Sequence, residues 1–127
     1  MQSRQVIVVD DDLGMLRANQ RLLRQHDYEP ILFSSAEELE QHADIDKALC
    51  IILDIDLNNR RSGIDLRHQL KAEGIAVPVI FITGNASSST REAALRSGCV
   101  AFLTKPFSAH ELIEPLKQAR GPLERGQ

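Results

Sequence analysis

Five short apolar runs alternate with segments of helical period along almost the whole of this 127-residue chain. The runs are residues 6–9, 28–33, 48–53, 78–82 and 101–104. The segments between them are too long for two-residue turns, so the pattern excludes a sheet of tight hairpins. Such an alternation is typical of a parallel sheet covered by helices on both faces. We therefore predict one α/β domain with a five-stranded parallel sheet.

The ends of the predicted helices are marked by capping residues. Asp12 is expected to cap the first helix rather than to bind a ligand. The second helix, residues 36–43, follows two serines that can cap it. The third ends at Gly74, and the fourth covers residues 89–97 before Gly98. A helix therefore follows each of the first four runs.

The last predicted helix contains a proline. This helix begins near Ser108 and carries Pro115 in its interior. An interior proline removes a backbone hydrogen bond and bends a helix. Either the helix bends at this proline or it begins later in the chain.

The boundary of the domain is expected near the last helix. Gly121 and Pro122 are typical of a frayed end or the start of a linker. We predict a domain over residues 1–120, followed at 121–127 by a tail or the start of a linker to an output domain.

Charge and hydropathy exclude two classes of partner. The formal net charge of −3 gives no general attraction to nucleic acid or to an anionic membrane. The apolar runs are far shorter than the ~20 residues that cross a bilayer. The chain opens without a leader pattern, so we expect a cytoplasmic protein. Cys50 and Cys99 lie in or beside apolar runs and are expected to be buried free thiols.

Residues able to handle a phosphoryl group follow four of the five runs. Asp10 and Asp11 follow the first run, Asp54 the third, Thr83 the fourth and Lys105 the fifth. The carboxyl ends of parallel strands meet at one edge of a sheet, where ligand sites of such sheets lie. We therefore expect these five side chains to converge.

The predicted cluster suits phosphoryl transfer assisted by a metal ion. Neighbouring carboxylates raise one another's pKa unless they share a cation, and such oxygen ligands suit Mg²⁺. A carboxylate can attack phosphorus and form an aspartyl phosphate. A metal ion held by Asp10, Asp11 and Asp54 would cover one phosphoryl oxygen. The ammonium of Lys105 and the hydroxyl of Thr83 would cover the other two.

In these residues the chain resembles the receiver domains of bacterial two-component response regulators. The resemblance covers about residues 5–119 and rests on the acid pair, Asp54, Thr83, and Lys105 followed by Pro106. It implies a flavodoxin-like doubly wound sheet of strand order 2-1-3-4-5, with five helices on its two faces. It also implies a cis peptide bond before the proline.

The resemblance implies a function in phosphorylation. A phosphoryl group would pass to Asp54 from the phosphohistidine of a sensor histidine kinase or a histidine phosphotransfer protein. Mg²⁺ would be bound by Asp11, Asp54 and the backbone carbonyl of Asp56, with Asp10 acting partly through water. The chain would be a signalling domain capable only of self-phosphorylation and autodephosphorylation, and not an enzyme in the wider sense.

The resemblance also implies a switch. On phosphorylation Thr83 would turn toward the phosphoryl group, and Phe102 would rotate inward behind it. The surface of the fourth helix, fifth strand and fifth helix would change, which would serve an output domain or a homodimer.

The segment after the phosphoacceptor departs from the family pattern. It lacks the usual Met-Pro pair, and Gly63 comes one residue late, so we infer a longer and more basic loop. Arg60 and Arg61 either attract a phosphodonor or form an exposed pair with no such role, which we favour. Asp56 adds a carboxylate that is expected to increase repulsion in the free state and to strengthen cation binding.

Two other functions remain open at this stage. A phosphatase of the haloacid-dehalogenase type would use the Asp-x-Asp motif formed by Asp54 and Asp56. In that superfamily the Asp-x-Asp strand comes first and the acid pair last, whereas here the acid pair comes first. A flavodoxin-like cofactor module would need a glycine-rich or hydroxyl-rich loop after the first strand, and that loop is missing.

Overall fold

The computed structural model describes residues 3–42, 44–57, 61–85 and 87–125. Strands and helices alternate through these residues, with one 3₁₀ turn at Ile45–Lys47. The strands are β1 (Gln5–Val9), β2 (Glu29–Phe33), β3 (Cys50–Asp54), β4 (Val79–Thr83) and β5 (Ala101–Thr104). The helices are α1 (Leu13–Gln25), α2 (Ala36–Glu40), α3 (Gly63–Ala72), α4 (Ser88–Ser97) and α5 (Ala109–Arg125).

The five strands form one parallel sheet in the order β2-β1-β3-β4-β5, which confirms the predicted fold. The direction in which strands are added reverses at β1, so the crevice between β1 and β3 is the switch point where doubly wound sheets bind ligands. The register pairs Val9 with Leu53 across this crevice. It also pairs Asp54 with Ile82 and Thr83 with Thr104. The carboxyl ends of the four strands β1, β3, β4 and β5 are therefore level.

Successive strand residues point to opposite faces of the sheet and fill two cores. One core lies beneath α2, α3 and α4 and includes Ile51, Leu53 and Phe81. The other lies beneath α1 and α5 and includes Ile52 and Ile80. Every residue of β3 and β4 is buried, as expected for central strands of a sheet covered on both faces.

The predicted caps are present. The Asp12 side chain accepts hydrogen bonds from the backbone N–H groups of Gly14 and Met15 at the start of α1. Gly98, with φ of 85°, ends α4 in a conformation that favours glycine. The Lys105–Pro106 peptide bond is cis, as the family resemblance implied.

Two helix ends differ from the prediction. Helix α2 ends at Glu40 rather than at residue 43, and Ala43 lies outside the described residues. Helix α5 continues through Gly121 and Pro122 to Arg125, so its predicted end was too early. Glycine and proline disfavour a helix by about 1 and about 3 kcal/mol, so the pair favours an end at this point, but the helix continues past it. The division into a domain and a following tail stays a prediction.

The start of α5 resolves the question raised by its proline. The Ser108 hydroxyl accepts from the Glu111 N–H, and the Glu111 carboxylate accepts from the Ser108 N–H. This reciprocal cap fixes the helix start, so the alternative of a later start is wrong. Pro115 lies between the buried side chains of Leu112 and Leu116, whose packing offsets the lost hydrogen bond.

Two other expectations concern thiols and membranes. Both cysteines are free, as predicted; Cys50 is buried, whereas Cys99 is only half-buried. None of the helices in the described part of the chain combines the length and apolar character that crossing a bilayer requires.

Candidate functional site

Two acids and a lysine meet at the carboxyl ends of β1, β3 and β5. The Lys105 Nζ lies 3.1 Å from Asp54 Oδ2 and 3.5 Å from Asp10 Oδ2. Asp10 and Asp54 are almost fully buried, with 2% and 3% of their surfaces exposed. The predicted convergence of these three side chains is present.

Backbone hydrogen bonds orient the two buried carboxylates. The Asp12 N–H donates to Asp10 Oδ1 at 2.9 Å, and the Asp56 N–H donates to Asp54 Oδ1 at 2.8 Å. In each case the donor lies two residues beyond the acid, where the chain turns out of its strand. The other oxygen of each carboxylate contacts Lys105. These contacts hold both acids at the same edge of the crevice.

Gly63 allows the connection after β3 to pass close to Asp54. A Cβ at this position would overlap the backbone carbonyl of Asp54 and lie 3.1 Å from the Ile55 Cα. Only a glycine therefore permits the start of α3 to pack against the end of β3 in this way.

The three acids form a group able to hold a divalent cation. Asp10, Asp11 and Asp54 each offer a carboxylate oxygen, and these oxygens lie within 4.8 Å of one another. Burial raises the pKa of Asp10 from 3.8 to about 6, and the neighbouring Asp54 carboxylate adds to the shift. Although burial lowers the pKa of Lys105, its contacts with Asp54 and Asp10 together outweigh this and raise it. One ammonium therefore leaves the acids short of positive charge, so the donor set fits Mg²⁺.

Thr83 and Asp56 form a second part of the site. Thr83 is fully buried, and its Oγ1 donates to Asp56 Oδ2 at 2.7 Å. The Gly84 N–H donates to the same oxygen at 3.2 Å. The Asp56 carboxylate therefore lies outside the acid cluster that we expected it to reinforce. Sequence reasoning missed this contact, although the pairing of Asp54 with Ile82 brings residues 56 and 83 together.

Phe102 lies half-buried on β5, paired with Phe81 in the middle of β4. The guanidinium carbon of Arg91 lies 5.4 Å from the centre of its ring, within the range of a cation–π interaction. Helix α4 is therefore linked to β5 through the ring to which the family resemblance gives a switching role. The sequence carried no signal for Arg91.

The basic loop after β3 is tied to α2. Both terminal nitrogens of Arg61 contact Glu40, at 2.8 and 3.0 Å, and one of them lies 2.6 Å from Gln69 Oε1. Its interpretation as an exposed loop residue is wrong, because only 25% of the side chain is exposed. Arg60, the other half of the predicted pair, lies outside the described residues.

The fold and the site together define a class of protein. A doubly wound parallel sheet with a cluster of acids, a hydroxyl and an ammonium at its switch point defines a flavodoxin-like α/β protein with a ligand site at the carboxyl ends of its strands.

Comparison with known proteins identifies the family. Residues 6–117 match the response regulator receiver domain, and the chain belongs to this family. It is 37% identical to Nodulation protein W of Bradyrhizobium diazoefficiens over 90% of this chain and 50% of that protein. It is 33% identical to the response regulator protein TodT of Pseudomonas putida, with the same coverage of 90% and 50%. Among solved structures, the beryllofluoride-activated NtrC4 receiver domain dimer has a TM-score of 0.82 and 27% identity, covering 94% of this chain and 98% of that one.

The protein is thus a receiver domain of a two-component response regulator, a signalling domain. The chain spans about half the length of the curated relatives that it matches.

Proposed function

We propose that the chain accepts a phosphoryl group on Asp54 from the phosphohistidine of a sensor histidine kinase or a histidine phosphotransfer protein. An Asp54 oxygen forms a bond to phosphorus as the N–P bond breaks, and the imidazole nitrogen keeps the electron pair of that bond. The observation that supports this most is the buried Asp54 carboxylate with the Lys105 ammonium 3.1 Å away. This is the arrangement that an in-line displacement at a charged centre needs.

Each neighbouring group has a role in this reaction. Asp10, Asp11, Asp54 and the backbone carbonyl of Asp56 would hold Mg²⁺, with Asp10 acting partly through water. When bound, Mg²⁺ supplies positive charge that offsets the charge of the phosphoryl oxygens. The ammonium of Lys105 would stabilise the same charge. The buried apolar strands around the site strengthen these interactions by excluding water.

Thr83 and Phe102 would convert phosphorylation into a change of surface. The Thr83 hydroxyl turns to a phosphoryl oxygen, the ring of Phe102 rotates inward behind it, and the face of α4, β5 and α5 shifts to a second packing. The contact between Arg91 and Phe102 supports this proposal, because it couples the ring to α4. That face would contact an output domain or a second copy of the chain. The beryllofluoride-activated NtrC4 receiver domain, which is a dimer, is a precedent for the pairing of two copies.

Intact-mass spectrometry after incubation with a small acyl phosphate and Mg²⁺ tests this function. We expect one added phosphoryl group on the parent chain and none on Asp54→Asn. Asp46→Asn, in the exposed 3₁₀ turn before β3, is the matched control and should be labelled like the parent. Labelling of Asp54→Asn would contradict the proposal. So would repeated hydrolysis of a phosphomonoester, since a phosphatase turns over whereas a receiver is labelled once.

A further inference from the structure

Asp56 makes contacts that neither metal binding nor phosphoryl acceptance requires. Its Oδ2 accepts one hydrogen bond from the Thr83 hydroxyl, at 2.7 Å, and a second from the Gly84 N–H, at 3.2 Å. Its own N–H donates to Asp54 Oδ1 at 2.8 Å. The backbone of Asp56 thus supports the phosphoacceptor, while its carboxylate engages the residue assigned to the switch.

The Thr83 hydroxyl can serve only one acceptor at a time. A hydroxyl carries a single hydrogen to donate, although it can accept further bonds. Here the Asn85 N–H donates to Thr83 Oγ1 at 3.1 Å, and the Asn85 carbonyl is an alternative acceptor at 3.2 Å. The shorter contact, to a charged carboxylate, is the stronger of the two possible bonds. The hydrogen is therefore already committed to Asp56 in this structure.

We propose that Asp56 is a positioning residue that restrains the switch: its carboxylate competes with the phosphoryl group for the hydroxyl hydrogen of Thr83. The inference rests on the proposed function. It adds a role for the Asp56 carboxylate to the role proposed for its backbone carbonyl. Phosphorylation must break the Asp56–Thr83 hydrogen bond before Thr83 can turn. The strength of this bond therefore determines what fraction of phosphorylated molecules adopts the switched packing. A second anion beside the site also repels an incoming phosphoryl group, and that effect does not need the hydroxyl.

The competition predicts a measurable gain on removing the carboxylate. A hydrogen bond to a charged group contributes enough free energy to change a dissociation constant by about tenfold or more. In Asp56→Ala the hydroxyl retains the Asn85 carbonyl as an acceptor, which offsets part of this gain. We therefore expect the part of the gain that depends on the hydroxyl to be about tenfold.

A double-mutant cycle separates the competition from simple charge repulsion. The parent, Asp56→Ala, Thr83→Val and the double variant are titrated with beryllofluoride at saturating Mg²⁺, and dissociation constants are measured by calorimetry. Loss of the negative charge tightens binding equally in both threonine and valine backgrounds, so it cancels in the cycle. We expect Asp56→Ala to tighten binding about tenfold more when Thr83 is present than in the Thr83→Val background. Asp56→Asn, which keeps the shape but only a neutral acceptor, should give a smaller gain.

A second measurement reports the contact directly in the absence of metal and probe. The amide proton resonance of Gly84 should move upfield in Asp56→Ala, since its carboxylate acceptor is lost. An unchanged resonance would contradict the contact on which the inference rests. An equal effect of Asp56→Ala in both backgrounds would overturn the competition while leaving the proposed function intact. A parent chain that binds no beryllofluoride would instead overturn the proposed function, and the inference with it.

Discussion

Two clusters in this molecule have the same composition, one basic side chain between two acids, but they differ in burial. At the sheet edge Lys105 contacts Asp10 and Asp54, whose side chains are only 2% and 3% exposed. On the loop after β3, Arg61 contacts Glu37 and Glu40, which are 49% and 26% exposed.

The cation lowers the pKa of the acids in both clusters, but in the buried cluster the effect of burial is larger. The Arg61 hydrogen bond lowers the pKa of Glu40, so that acid is charged and satisfied. Burial raises the pKa of Asp10 to about 6 despite the nearby ammonium. The exposed cluster is therefore a tie between a loop and a helix whose second carboxylate is screened by water. The buried cluster holds more negative charge than its ammonium compensates, which is what a site for a divalent cation requires.

Replacing the basic residue of the buried cluster should have the largest effect. Lys105→Met removes the ammonium while keeping an apolar chain of similar length. We expect the rate of labelling by an acyl phosphate to fall about 100- to 1000-fold, the cost of losing one preorganised donor at a charged centre. The time course of the intact mass measures the rate. A rate within a few-fold of the parent would contradict the role of Lys105.

The raised pKa of Asp10 predicts an opposite pH dependence for the two clusters. An acid whose pKa is higher in the folded state contributes most below its unfolded value of 3.8 and loses this contribution as the pH rises through about 6. In a chelator, the free energy of unfolding of the parent should therefore fall by about 2 kcal/mol relative to Asp10→Asn between pH 4 and pH 7. Urea denaturation at several pH values measures this difference.

Two further observations sharpen the pH test. Mg²⁺ should restore the stability of the parent at pH 7 and have little effect on it at pH 4. Glu40, whose pKa is lowered, should instead lose its contribution as the pH falls. A parent and an Asp10→Asn variant with the same pH profile would show that the buried acids carry no excess charge.

The chain segment that joins the end of β3 to α3 runs from one cluster to the other, and its path depends on Gly63. Gly63→Ala should lower the free energy of unfolding by about 2 kcal/mol, because the added Cβ overlaps the Asp54 carbonyl and the strand must shift. Gly84→Ala is the matched control, since a Cβ there meets no atom within 4 Å among the described residues. Equal stabilities of the two variants in urea denaturation would contradict the close approach at the start of α3.

The exposed cluster should give the smallest effect. Arg61→Met should lower the free energy of unfolding by about 1 kcal/mol or less and leave the labelling rate unchanged. Lys47→Met is the control, because its pair with Asp44 is largely exposed and should contribute still less. A loss of labelling in Arg61→Met would mean that the loop position, and not only the buried charge, controls the site.

Much of the fold and the site follows from local sequence signals. The apolar run before Asp54 predicts a central strand because both faces are covered by helices, and every residue of β3 is buried. The convergence of Asp10, Asp54 and Lys105 follows from the shared direction of parallel strands. The Asp12 cap follows from hydrogen-bonding chemistry within one helical turn. These features need only short segments or the topology to be known.

The features that sequence reasoning missed depend on contacts between distant segments. The pairing of Arg61 with Glu40 joins residues 21 positions apart, and many acids were available to it. The bond between Asp56 and Thr83 depends on the register of β3 against β4, which no residue pattern specifies. The end of α5 was predicted too early because Gly121 and Pro122 both disfavour a helix locally, yet this helix continues past them to Arg125.

The most direct test of the account is to locate the phosphoryl group within the chain. After treatment with an acyl phosphate and Mg²⁺, borohydride reduces an aspartyl phosphate to homoserine, and peptide mass spectrometry identifies the altered residue. The account predicts homoserine at position 54 alone, and its loss when Lys105→Met is treated for the same time. Homoserine at position 10, 11 or 56, or unchanged aspartate at 54 in the treated parent, would contradict it.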